Sequence, residues 1–279
     1  MSAYADPQQT TMTLAPGVRR IRAPNAGLMT GSGTNTYLLG ESEVTVLDPG
    51  PLDPRHLDAI LAAAGARIRW IVTTHTHQDH SPLAAELGRA TGAARIGLPP
   101  PSDGRQDESY RPDRRPGDGE TLELGDISLT AIHTPGHASN CVCYLLARER
   151  MLFTGDHVLH GVSPVILPPD GEMAAYLHSL EKLGGYDFEL IAPGHGDVMA
   201  HGKRVIEMLH AHRMMRERKV LHCLAAAAAT IDSLTPLVYD DVPLDRHEWA
   251  KLTLRAHLIK LTHEGRVAEH AGVWRITGG

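Results

Sequence analysis

Aromatic side chains make up only 4% of this 279-residue chain, with two phenylalanines and three tryptophans among them. Proteins that hold single-stranded nucleic acid without sequence preference rely on aromatic platforms for base stacking, so this scarcity counts against such a role. Cysteine is scarce too. There are three, and Cys141 and Cys143 stand one residue apart, which makes no disulfide framework. The reducing cytoplasm is therefore the expected compartment. No apolar run approaches the roughly 20 residues of a membrane helix, so no membrane partner is expected. The opening Met1-Ser2-Ala3-Tyr4-Ala5-Asp6-Pro7 has neither the basic start nor the apolar stretch of a signal peptide.

What is present suits a globular protein. Hydrophobic residues are 42% and charged residues 22%, enough for one large buried core or a large and a small one. Charge is uneven: residues 1–202 carry a balance of −9 and residues 203–279 a balance of +3, which suggests two units with different tasks.

Short apolar runs alternate with turn signals through the first two hundred residues. Thr36–Leu39 and Val44–Gly50 read as a hairpin closed by Glu41-Ser42-Glu43. Pro54 to Ala64 has helical periodicity and ends at Gly65; Ser81-Pro82 reads as the N-cap and first turn of another helix. Trp70 to Thr74, Ile127 to Thr134, Cys141 to Ala147, Met151 to Thr154 and Glu189 to Ala192 read as strands, and Glu172 to Leu183 as a helix. This alternation argues for an α/β fold class. Leu98 to Glu120, rich in Pro, Gly, Asp and Arg, reads as a long surface loop over the site. After Gly202 come a long helix, a short capped helix from Thr230, a longer one over His247 to Glu264 with Leu252, Leu254, Leu258, Ile259 and Leu261 on its apolar face, and a hairpin over Arg266 to Ile276. Three helices and a hairpin form a winged-helix layout. Its candidate recognition helix offers Arg246, Lys251, Arg255 and Lys260 diluted by acids, so a packing role is favoured over duplex DNA binding.

The densest chemistry lies in Thr74-His75-Thr76-His77-Gln78-Asp79-His80, directly after the apolar Trp70-Ile71-Val72. Imidazole is the usual neutral ligand for a divalent transition metal, and carboxylate compensates its charge. On a strand end, His75 and His77 project to one side. Asp79 and His80 lie where the chain turns, within reach of a second ion. Similar residues recur at later strand ends: Thr134-Pro135-Gly136-His137, Thr154-Gly155-Asp156-His157 and Ala192-Pro193-Gly194-His195-Gly196. His133 and His178 read as structural, and His157 and His160 as close to the cleft. Asp48, ending a strand before Pro49-Gly50, has two readings of equal weight: partner of a ligand histidine, or turn former.

Together these motifs, in this order, resemble the metallo-β-lactamase superfamily over about residues 15–200. The resemblance implies an αββα sandwich over 15–202, followed by a helical linker and small winged-helix domain over 203–279. It implies that His75, His77 and His137 hold one divalent ion, that Asp79, His80 and His195 hold the other, and that Asp156 bridges them. Zinc is the expected metal, although the same ligands accept iron or manganese. Asp79 is also the candidate catalytic residue, relaying a proton. The pairing with a winged helix is similar to the β-lactamase-like protein 2 group, which includes thioesterases acting on carrier proteins and endoribonucleases acting on single strands. The expected function is hydrolysis, by a metal-bound hydroxide, of an ester, thioester or lactone in a small-molecule or acyl-carrier substrate. The alternative is an endoribonuclease on single-stranded RNA, for which Arg105, Arg111, Arg114 and Arg115 are the only evident phosphate clamp. A homodimer stays open beside a monomer.

Overall fold

The computed structural model of the chain describes residues 11–102 and 104–277. These fall into two compact units. The first takes residues up to Thr134 together with Asn140–Val162 and Asp187–Gly202; the second takes Pro135–Ser139, Ser163–Tyr186 and the chain from Lys203.

In the first unit a six-stranded sheet runs in sequence order: β1 (Met12–Ala15), β2 (Val18–Arg22), β3 (Asn35–Leu39), β4 (Val44–Leu47), β5 (Ile68–Val72) and β6 (Ala94–Ile96). The first four pair antiparallel, and β4, β5 and β6 pair parallel. Parallel neighbours need a crossover, supplied here by α1 (Pro54–Ala64) and α2 (Ala84–Thr91). The start of α1 is set by Asp53, whose side chain accepts from the Arg55 amide, followed by Pro54 in the first turn. The expected cap of α2 is corrected. That helix begins at Ala84, behind Leu83, with no side-chain cap, because the Ser81 hydroxyl is drawn away to Asp107, 2.8 Å distant.

The second sheet has the order β11 (Leu190–Pro193), β10 (Met151–Gly155), β9 (Val142–Leu146), β8 (Ile127–His133), β7 (Thr121–Leu124). Alternate residues of both sheets meet in one apolar core that includes Tyr37, Leu47, Val72, Leu129, Tyr144 and Phe153. The Tyr37 and Phe153 rings meet edge to face, 4.9 Å between centroids. The opposite face of the first sheet packs Leu38, Val46 and Ile71 against Ile60 of α1 and Leu87 of α2.

The second unit contains α3 (Met173–Leu183), most of α4 (Gly202–Ala226), β12 (Ala229–Thr230), α5 (Ile231–Val238), α6 (His247–His263) and the hairpin β13 (Val267–His270) and β14 (Val273–Ile276). The strands form a sheet of order β12-β14-β13. Thr230 caps α5 by accepting from the Ser233 amide at 3.3 Å. The core holds Val220, Leu234, Val238, Leu254, Leu258 and Leu261. The expected apolar face of α6 is corrected in part: Leu252 and Ile259 are only half-buried, whereas His257 is wholly buried. Of the cations expected along α6, Lys251 pairs with Asp232 and Glu248, and Lys260 with Glu217 and Glu264, all at 2.6–2.8 Å. Those pairs leave no continuous basic stripe. Among the described residues no helix is long and apolar enough to cross a membrane.

Candidate metal centre

The histidine loop leaves the C-terminal end of β5, the usual place for a ligand in a sheet with parallel strands. Its turn is closed by the His80 amide, which donates to the His77 carbonyl at 3.0 Å. His75 and His80 are buried, His77 and Asp79 half-buried, and Gln78 is exposed. As alternation on one face requires, His75 Nε2 and His77 Nδ1 lie 3.0 Å apart.

Three groups of ligand-type atoms emerge, each with its members within 4.8 Å of one another: His75, His77 and His137; His75, His80 and Asp156; and Asp79, His80 and His195. All seven expected residues are thus brought into these groups, and the groups interlock through His75 and His80. Around the second and third, His80 Nε2 stands 3.4 Å from Asp79 Oδ2 and 3.3 Å from Asp156 Oδ1, and His195 Nε2 stands 3.1 and 3.3 Å from the same two oxygens. Tetrahedral ligands at zinc bond lengths of about 2.0–2.2 Å are separated by about 3.3–3.6 Å. The donor set and its spacing fit a transition-metal cation.

The far nitrogen of each buried imidazole is occupied, which turns Nε2 inward. His80 Nδ1 meets Asp48 Oδ2 at 2.9 Å, His75 Nδ1 meets the Thr74 hydroxyl at 3.0 Å, and His195 Nδ1 faces the Gly33 carbonyl at 3.4 Å. His137 Nδ1 meets the Val165 carbonyl at 2.7 Å. Charge follows this geometry. Burial alone lowers the basicity of His80, but Asp79, Asp156 and Asp48 outweigh it and raise His80 well above the ordinary histidine range. His195, also pulled down by burial, is brought up to about 9 by Asp156 and Asp79. Burial works against ionisation of Asp79 and Asp156, yet His80 and His195 hold both well below the usual carboxylate range. The cluster draws in positive charge.

Glycine is required at two of the strand ends. A Cβ on Gly194 would stand 2.4 Å from Asp156 Oδ1 and 2.7 Å from His80 Cε1. One on Gly155, at φ +48°, would stand 2.3 Å from the Thr74 hydroxyl. Asp48 takes both roles open to it. Its φ is +51°, a turn conformation, and its carboxylate accepts from the Thr74 amide and hydroxyl, each at 2.7 Å, as well as from His80.

Several contributors are not evident in the sequence. Thr34 donates its hydroxyl to Asp79 Oδ2 at 3.1 Å and is itself fixed by Asn25. Gln106 accepts from the Thr76 hydroxyl at 2.6 Å, and the Asp107 amide donates to the Thr76 carbonyl at 2.7 Å, so the long loop is pinned to the back of the histidine loop. Isolated Thr, Asn and Gln in loops carry no motif that could mark them. The other histidines lie outside the three groups: His133 bonds the Pro116 carbonyl at 2.9 Å, His178 is exposed, buried His157 follows Asp156, and exposed His160 lies against Gly196, beside His195. Cys141 and Cys143 are both buried, and neither joins a ligand group. Arg114, one of the four loop arginines, is paired with Glu120.

Comparison with known proteins identifies the family. Residues 29–195 match the model of the metallo-beta-lactamase superfamily, and residues 230–274 that of the beta-lactamase associated winged helix domain. An atrochrysone carboxyl ACP thioesterase from Aspergillus fumigatus is 31% identical, covering 83% of this chain and 76% of its own. Lactamase-like protein ptaB from Pestalotiopsis fici is 29% identical over 88% of this chain and 82% of its own. A beta-lactamase domain protein from Burkholderia ambifaria shares the fold with a TM-score of 0.83, at 20% identity over 99% of this chain and 96% of its own. The chain belongs to the metallo-beta-lactamase superfamily of hydrolases and carries a beta-lactamase associated winged helix domain.

Proposed function

We propose that the protein is a dinuclear, zinc-dependent hydrolase of thioesters presented on an acyl carrier. The observation that carries this reading is the interlocking of the three ligand groups, which is what two neighbouring ions with a shared ligand require. His75, His77 and His137 would hold one ion, Asp79, His80 and His195 the other, and Asp156, in the middle group, would bridge them. In this reading residues 15–202 carry the reaction and 203–279 support it.

Bound divalent cations supply a Lewis acid and lower the pKa of water at the site. The chain's own residues do the rest. Asp48, Val165 and Gly33 fix the imidazole orientations through the bonds given above. Asp79 sits at the more exposed side of the cluster, with Thr34 holding its Oδ2, where the carboxylate can take up a proton as water adds to the acyl carbon. The carbon–sulfur bond then breaks, giving a carboxylic acid and a thiol that receives a proton. Support for the thioester comes from the Aspergillus fumigatus relative, an acyl-carrier thioesterase. The paired cations of α6 and the 4% aromatic content give no comparable support to RNA cleavage.

The test is a turnover panel on zinc-loaded protein: a carrier-bound thioester, a lactone, a phosphodiester and a labelled single-stranded RNA, each with a His77→Ala control. Thioester turnover exceeding the others and lost in the control is expected. RNA cleavage far above the rest, lost in the same control, overturns the reading.

A further inference from the structure

Within the second unit one side chain gathers the supports of a ligand histidine. Arg213 lies in α4, 2% exposed, and belongs to none of the three ligand groups. Its guanidinium donates to the Pro164 carbonyl at 2.5 Å and stacks 5.3 Å from the centre of the Tyr176 ring. Both contacts lead to His137. The residue after Pro164 is Val165, whose carbonyl accepts from His137 Nδ1 at 2.7 Å. Tyr176 closes against the residue before His137: a Cβ on Gly136, at φ +145°, would come within 2.4 Å of the Tyr176 Cα. The flanks of Pro164 are held by α4 and α6. The Ser163 hydroxyl meets His212 of α4 at 3.3 Å, and the Ile166 amide meets Thr253 of α6 at 3.5 Å.

We infer that Arg213 is a positioning residue for His137, so that the C-terminal helices serve to orient one metal ligand. The inference rests on the reading of His137 as a ligand. A carbonyl that fixes the far nitrogen of an imidazole sets the aim of the near one, and loss of such a partner weakens metal affinity by about 10- to 100-fold. Arg213 acts one step further back. It fixes the Pro164–Val165 peptide, the neighbour of the one that carries the carbonyl, and the ring that confines the turn.

Arg216 provides the control. It lies one turn further along α4, is equally buried, bonds the Val238 carbonyl at 2.7 Å and Asp241 at 2.6 and 2.7 Å, and stacks on Tyr239 at 4.7 Å. It has no bond to residues 163–166. Protein loaded with two equivalents of Co2+ would be compared as wild type, Arg213→Met, Arg216→Met and His137→Ala, following release to a chelator and the visible absorption of each bound ion. Arg213→Met is expected to release one of the two ions about 10- to 100-fold more readily, with a change in that ion's spectrum, while Arg216→Met keeps both. Equal loss in the two arginine variants reduces Arg213 to a stability role and overturns the inference. If His137→Ala loses one ion while Arg213→Met keeps both, only the inference falls. If His137→Ala keeps both, the ligand reading falls and takes the inference with it. Should Arg213→Met fail to fold, Arg213→Lys, which keeps the charge and forfeits the planar fork, must show a smaller loss from the same ion; an unchanged release rate there is a refutation.

Discussion

The carboxylate of Asp48 accepts three hydrogen bonds, two from Thr74 and one from His80, and it does so from a left-handed backbone conformation. Replacing it with alanine strands a buried amide and hydroxyl and releases the ring of His80. Asp48→Ala is expected to weaken cation binding by about 10- to 100-fold, read by chelator competition, and to lower stability by about 1–3 kcal/mol for each stranded donor, read by denaturant unfolding. Gly194→Ala is a second residue-scale case. The added methyl meets Asp156 and His80 together, so metal content per chain should fall while the far-ultraviolet circular dichroism stays that of the folded protein. His56 gives a pH dependence of a residue outside the three ligand groups. Burial lowers it to about 4, against a smaller opposing pull from Asp53, and its Nε2 meets the Thr36 hydroxyl at 2.8 Å. The unfolded chain binds a proton near pH 6.5 and the native one only near 4, so this contribution is intact above 6.5 and is lost as pH falls towards 4. The loss amounts to about 3 kcal/mol. His56→Gln keeps a donor for Thr36 and should flatten that window; identical pH slopes for the two proteins would refute it.

Elements were legible in the sequence where both ends are marked and the period is clean. The helix over 54–64 has Asp53-Pro54 before it and Gly65 after it, and the structure reproduces those limits. β2 is illegible because its sequence, Val-Arg-Arg-Ile-Arg, puts charge where a buried strand should be apolar. Arg20 is nonetheless buried, bonded to the Gly196 carbonyl at 3.2 Å and Asp197 at 3.1 Å, partners that only tertiary structure supplies. The residues of the cluster divide in the same way. His75 to His80 declare themselves by spacing, whereas Thr34 earns its place through a backbone bridge to His195, far away in sequence. The joint between the sheets carries its own prediction. Phe153, fully buried against Tyr37, should destabilise the fold by about 3–5 kcal/mol on replacement by alanine. Thermal or urea unfolding measures it.

At the scale of the whole molecule, stability and cation occupancy are linked. A cation that binds the native chain and not the unfolded one raises stability by about 2.7 kcal/mol when free cation stands at 100 times its dissociation constant. Chelation is therefore expected to lower the melting temperature, by more for wild type than for Asp48→Ala, and a differential scan with and without chelator decides it. The span of the ligands adds a further consequence. Asp79 and His80 follow β5 of the first sheet, while His195 follows β11 of the second, more than a hundred residues later. Closing so long a segment carries a large entropic penalty in an open chain. Their side chains converge only once both sheets have formed and docked. On the proposed reading of these residues as ligands, metallation would be a late event in the life of the chain, and a cation, once seated, would work as a reversible staple between two layers that contain no covalent cross-link among the described residues.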